Sequence, residues 1–214
     1  MANAWMPAAG RVTSSFPAGR PGGGAPRAVW CVSESDPEQW SAHSAARRLD
    51  SEGRAAHLVW HPVTGDVVQL LPATAAAVGQ LTPHGTIDRA SEGRVCIVIQ
   101  VIGRSPEPFT DGPLNGLDAI LAWLDSWGIP RTWPAGAPGA RARRSSAAQE
   151  YPWSLGGHFG HSQVPGSAAD GPGAIDPVRL HGHWFPRPRR EQPGTAPDRR
   201  RPVASGMRSP FSSP

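Results

Sequence analysis

Two histidines and an acid share one glycine-rich stretch. It reads Gly156-Gly157-His158-Phe159-Gly160-His161-Ser162-Gln163-Val164-Pro165-Gly166, and continues through Asp170-Gly171-Pro172-Gly173-Ala174-Ile175-Asp176. Imidazole and carboxylate groups are ligands for a metal such as zinc, and the framing glycines let backbone come close to a bound group. The order histidine, short loop, acid beside Pro-Gly is a metal-ligand spacing that leads into a helix start. Cys31 and Cys96 are too few for a disulfide framework. Both stand in apolar runs, where a free cysteine behaves as a small hydrophobe.

The rest of the chain supplies elements to position that stretch. Residues 27–32 read as a short buried strand. Asp36-Pro37 offers an N-cap and a first-turn proline, and Ala42, Ala45, Ala46 and Leu49 follow at helical spacing, which predicts a helix over 37–51 stopped by Gly53. Residues 57–60 and 67–71 predict two strands joined by a turn at Thr64-Gly65-Asp66, and the alanines of 73–80 a short helix. Residues 95–102 are apolar apart from Gln100, as in a central strand covered on both faces. Leu114, Leu117, Leu121 and Leu124, with Ile120 and Trp127, predict an amphipathic helix ending at Gly128. Residues 134–150 read as a surface loop, and Asp176-Pro177 opens a helix to about Trp184. Strands alternating with helices give an α/β fold, a mixed central sheet flanked by helices in a single domain.

With 25 Gly and 25 Pro in 214 residues, loops are extensive. The formal charge of +4 is unevenly placed, because seven of the 21 arginines fall in 185–214 against two acids. The organisation expected is an extended N-terminal arm over 1–26, a near-neutral domain over 27–184, and a disordered Arg/Pro-rich tail over 185–214. A neutral domain gives no support to specific nucleic-acid binding. No apolar run is long enough to span a membrane, and no secretory signal is visible at the N-terminus. The location expected from these features is cytoplasmic.

Four segments together resemble the zinc-dependent N-acetylmuramoyl-L-alanine amidases, whose fold is shared with peptidoglycan recognition proteins and some phage lysozymes. They are residues 28–34, 57–71, 93–103 and 157–176, with Gly160–Gly166 the most specific phrase. The resemblance implies peptidoglycan as ligand, phage-type release to the cell wall as the alternative to a cytoplasmic location, and one zinc that activates water against the amide between muramic acid and L-alanine. It puts Cys31 in the place of the first ligand, usually histidine, His161 in that of the second, and Asp170 one residue before that of the third. His158 is the neighbouring candidate, but the phrase favours His161. Gln100 takes the slot of a strand glutamate; an amide can orient a water or carbonyl but is no base at neutral pH. Ala56 stands where a tyrosine is common and Ala169 where a lysine or histidine is. Trp30, His57 and Trp60 fall where a substrate groove would be lined, Trp133 is a further wall candidate, and tryptophan there equally suits a core.

His43 reads as a surface residue, while His61, His84, His181 and His183 lie outside the motif. Three functions follow from the resemblance. The chain is a zinc amidase with a divergent ligand set, a peptidoglycan-binding module without catalysis, or an eroded copy of such an enzyme.

Overall fold

The protein is described by a computed structural model covering residues 2–81, 88–140 and 146–181. His84, His183, the end of the helix expected to reach Trp184, and the tail expected to be disordered lie outside the described residues. Two segments that are apolar apart from Arg27 and Gln100 make the centre of the sheet: β2 (Arg27–Val32) and β5 (Cys96–Val101) run parallel with Arg27 opposite Cys96 and Cys31 opposite Gln100. Beyond β5 lie β3 (Leu58–Trp60), parallel to it, and β4 (Val67–Gln69), antiparallel to β3 across the expected turn. On the other side β2 pairs in parallel with β6 (Gly157–Gly160). With the edge strand β1 (Gly10–Arg11), the order across the sheet is β1-β4-β3-β5-β2-β6.

Alternation along the strands builds a core on each face. Val29, Cys31, Val59, Cys96 and Val98 pack toward α1 (Ala42–Ser51), whose Ala42, Ala45, Ala46 and Leu49 form its buried stripe. Ala28, Trp30, Leu58, Ile97, Ile99 and Val101 pack on the opposite face beneath α2 (Leu117–Ser126) with Ile120, Leu121 and Leu124. The fold class expected from the sequence is therefore the one observed.

Several boundaries differ from the sequence reading, each for a local reason. α1 begins at Ala42, because Ser41 and Ser44 form a capping box. Asp36 instead closes a preceding turn, its Oδ1 accepting from the Glu38 N–H at 3.0 Å. The alanines of 73–80 form no helix. Their backbone is spent on distant partners, Ala76 N–H on Gly19 O and Val78 on Ala55 in both directions. Residues 134–150 are not all loop, since α3 (Ser146–Ser154) begins inside them. α3 is anchored by Trp153, which lies under the Arg27 guanidinium at 4.2 Å and donates Nε1–H to Glu92. α4 (Pro177–His181) starts as expected, with Val178 N–H bonded to Asp176 Oδ1.

The N-terminal arm docks on the sheet. β1 pairs in parallel with β4, and the buried Gln69 amide accepts from Met6 N–H at 2.6 Å while donating to Ala4 O and Leu71 O. Gln69→Leu would orphan those backbone groups, at a cost of about 1–3 kcal/mol. We expect a corresponding drop in denaturant stability, with faster hydrogen exchange in residues 3–11 than in β2 or β5. Unchanged exchange in the arm would refute this role for Gln69.

Candidate functional site

The parallel register of β2 and β5 carries the expected site residues to the C-terminal ends of the two strands, on the face covered by α1. Gln100 lies beside Cys31 there. Its Nε2–H donates to Val32 O at 2.7 Å, which fixes the amide with Oε1 on the other side. Among the described residues its buried Oε1 has no hydrogen-bond partner, and the Ser33 Oγ is in the same condition. Both residues line a small pocket of about 50 Å³, with Ser35, Arg48, Glu52 and Arg54 around it. A wider cleft of about 410 Å³ runs elsewhere, between the N-terminal arm, α1 and the start of α2.

Cys31 is 2% exposed, and burial pushes its thiol up to about 12, against a weaker downward pull from Arg54. Burial likewise raises Cys96 to about 12. The thiolate is the form that binds metal, so at neutral pH Cys31 is a protonated, apolar-packed side chain. His161 opens a 3-10 turn, His161–Gln163, directly after β6. Burial, with a smaller contribution from Arg54, holds its imidazole neutral, down at about 4. The turn is fixed by Gly160 N–H to Gln163 Oε1, Gln163 Nε2–H to Gly136 O, and Gln149 Nε2–H from α3 to Ser162 O. Ser162 N–H also bonds to Gly171 O at 2.7 Å, tying the turn to the loop that carries the exposed Asp170.

Among the described residues, no three His, Cys, Asp or Glu side chains form a group able to hold a metal ion. Cys31, His161 and Asp170, the expected zinc set, are not brought together as such a group there, and the first two share the field of a cation. That cation is Arg54, to which the sequence reading assigns no role. Following the α1 terminus, it reads as an ordinary surface arginine; only the turn at Gly53 swings it toward Cys31 and His161. Its guanidinium is bonded to Glu52 Oε2, Gly79 O and Gln80 Oε1, at 3.3 to 3.4 Å.

The sequence reading puts Trp30, His57 and Trp60 on a groove wall; the structure puts all three in the core, each 0% exposed. Trp30 and Trp60 meet edge to face and both pack on Phe109. Trp60 Nε1–H donates to Asn115 O at 2.9 Å. His57 takes Val98 N–H on Nδ1 and gives Nε2–H to Ala75 O, both at 3.0 Å, so it ties β5 to the alanine segment as a neutral ring. Trp133 is 2% exposed. His61, buried, bridges the β3–β4 turn to Pro37 O. His158 points to the α2 face, opposite Cys31, where its Nδ1 accepts from Trp30 Nε1–H.

The sequence matches no family model, and no curated protein matches it. Among solved structures the chain is similar to the endolysin N-acetylmuramoyl-L-alanine amidase LysCS of Clostridium intestinale, at 12% identity and a TM-score of 0.48 over 83% of this chain and 95% of that one. A selenomethionine derivative of AmpD gives 16% identity and 0.48 over 83% and 94%. The Staphylococcus aureus hydrolase AmiA gives 12% and 0.48 over 78% and 73%.

Two expectations follow from the electrostatics. In the native protein neither thiol should react with a disulfide reagent at pH 8, and both should react once denaturant is added; a fast native reaction at Cys31 would contradict its burial. Burial lowers His57 from 6.5 to about 4, against an upward pull from its bond to Ala75 O. The stability it contributes is thus complete above pH 6.5 and is lost as pH falls through 4, amounting to ~3 kcal/mol for this fully buried ring. Denaturant titrations at pH 7 and pH 4 read that loss, and equal stability at the two would refute it.

Proposed function

We propose that this chain is a peptidoglycan-binding module that holds a glycan-peptide ligand without hydrolysing it. The observation that carries the reading is the Cys31–Gln100 pair at the ends of β2 and β5. Hydrolysis of the muramoyl–L-alanine bond needs a water-activating metal or base at such a position. Burial favours the protonated form of the Cys31 thiol, and Gln100 is a neutral amide. An amide oxygen without a partner, beside a partnerless serine hydroxyl, suits binding instead. Gln100 Oε1 can accept one peptide N–H from a ligand lying across the strand ends, and Ser33 Oγ can bond a neighbouring carbonyl or hydroxyl. Arg48 and Arg54, which share Glu52, leave one positive charge at the rim for a carboxylate of the peptide stem. The assignment of peptidoglycan itself rests on the Gly160–Gly166 phrase and its placement after β6, next to these strand ends.

The test is co-sedimentation of the full chain with purified cell-wall sacculi, with released stem peptides measured in the supernatant. Binding without peptide release is expected, and Gln100→Leu should weaken it about 5- to 10-fold, the worth of one buried hydrogen bond. Zinc-dependent release of peptides that a chelator abolishes would overturn the non-catalytic reading. Failure to sediment would overturn the ligand assignment.

A further inference from the structure

The α2 face of the sheet holds a pair of histidines, one buried and one half-buried, that the proposed site does not use. His158 in β6 is 1% exposed, and His181 is the last residue of α4. Their ring centroids lie 4.0 Å apart, edge to face. Each ring is held by a tryptophan. Trp30 Nε1–H donates to His158 Nδ1 at 3.0 Å, and Trp133 Nε1–H donates to His181 Nδ1 at 2.9 Å.

An Nδ1 that accepts carries no proton, so both rings are neutral with hydrogen on Nε2. That tautomer leaves neither ring a free lone pair for a metal. Among the described residues both Nε2 atoms are buried without a hydrogen-bond partner. The hydrogen bond that each ring does make there, to an indole N–H, exists only while the ring is uncharged.

We propose that α4 is an acid-released latch, held shut by the neutral His158–His181 pair and its two indole donors. Protonating His181 puts a hydrogen on Nδ1, directly against the Trp133 Nε1–H, so a bond becomes a donor–donor clash. It also sets an imidazolium against the His158 ring. The other charged groups felt by the pair do not relieve this. Arg131 disfavours a proton on both rings. Asp125 favours one on His181, but its carboxylate is engaged by Arg131 at 2.7 Å.

Among the described residues the remaining anchors of α4 are its buried Pro177 and Leu180 side chains, Asp176 N–H on Thr110 Oγ1 and an Arg179 Nη2–H on Gly112 O. A segment so lightly attached opens at small cost compared with the sheet.

Burial holds His181 at about 4, against 6.5 for an exposed ring. A His181 that is exposed when α4 undocks takes up its proton more readily, so undocking is favoured as pH falls from 6.5 toward 4. Between pH 7.5 and pH 5 the undocking equilibrium rises about 30-fold on this account. α4 anchors the far end of the loop that begins at His161, so its release loosens the candidate site without unfolding the sheet. The inference does not depend on which ligand that site takes.

The test is residue-resolved hydrogen exchange on the full chain at pH 7.5 and 5.0, expressed as protection factors. Amides of residues 175–181 should lose protection about 30-fold at pH 5.0 while β2 and β5 keep theirs. His181→Asn supplies Oδ1 as a non-titrating acceptor for Trp133 and should keep α4 docked at both pH values. If that variant does not fold, the His181 ring shifts in the wild-type protein decide instead, by titrating together with the loss of α4 protection. Unchanged protection of α4 at pH 5.0 would overturn the proposal. So would simultaneous loss in β2 and β5, or the same acid release in His181→Asn.

Discussion

The register of β2 fixes the rest of this molecule. The strand has a parallel neighbour on each edge, β5 and β6, so its backbone is fully used and its side chains must alternate between two dry faces. Shifting it by one residue would exchange every inward group for its neighbour. Trp30 and Cys31 would trade faces, taking a large indole into the tight alanine packing beneath α1 and a small thiol into the aromatic cluster around Phe109. Arg27, at the start of the strand, reinforces the register. Its guanidinium is buried, stacks on Trp153, and donates to Glu92 O and Trp153 O. Those bonds hold the entrance of the strand to α3 and to the loop before β5. The chemistry of the strand ends follows from there, since the residue beside Gln100 is whatever the register delivers.

What it delivers is a place built for neutral groups. Burial raises one side chain and lowers the next, with the same outcome each time: Cys31 keeps its proton and His161 does without one. A site that needed a thiolate would surround it with donors and cations at close range. Here Arg54 acts on Cys31, but its hydrogen-bonding capacity is already committed to Glu52, Gly79 and Gln80. The unsatisfied atoms that remain, Gln100 Oε1 and Ser33 Oγ, ask for a hydrogen-bonding partner rather than a charge.

The strands and the helix over α2 were legible because their signals are local and redundant. Apolar runs at 27–32 and 95–102, and leucines at helical spacing before Gly128, leave few alternatives. Boundaries depending on competition between caps were less legible: Asp36-Pro37 looks a better start than Ser41, and only the reciprocal Ser41–Ser44 bonds decide it. α3 was hidden because its stability is tertiary, resting on Trp153 and Gln149 at distant contacts rather than on composition. The same limit applied to the site. Matching residues to a family pattern gave Cys31, Gln100 and His161 their places near the strand ends. It could not show that Trp30, His57 and Trp60 turn inward, since in a short, fully covered strand neither side is polar. Arg54 carries no sequence signal at all, because its role depends on a turn and on a field.

The docked N-terminal arm has a consequence for how copies of this protein meet one another. A sheet ending at β4 would present a bare ladder of amides and carbonyls to any neighbouring chain. β1 covers that ladder with two residues, and the arm then leaves the sheet, so the new edge is too short to template another strand. At the opposite side β6 is four residues long, and its His158 and Gly160 N–H groups are already taken by Thr132 O and Gln163 Oε1. Among the described residues both margins of the sheet are thus short, and what a neighbouring chain would meet there is set by segments that contribute little to the core rather than by the central strands.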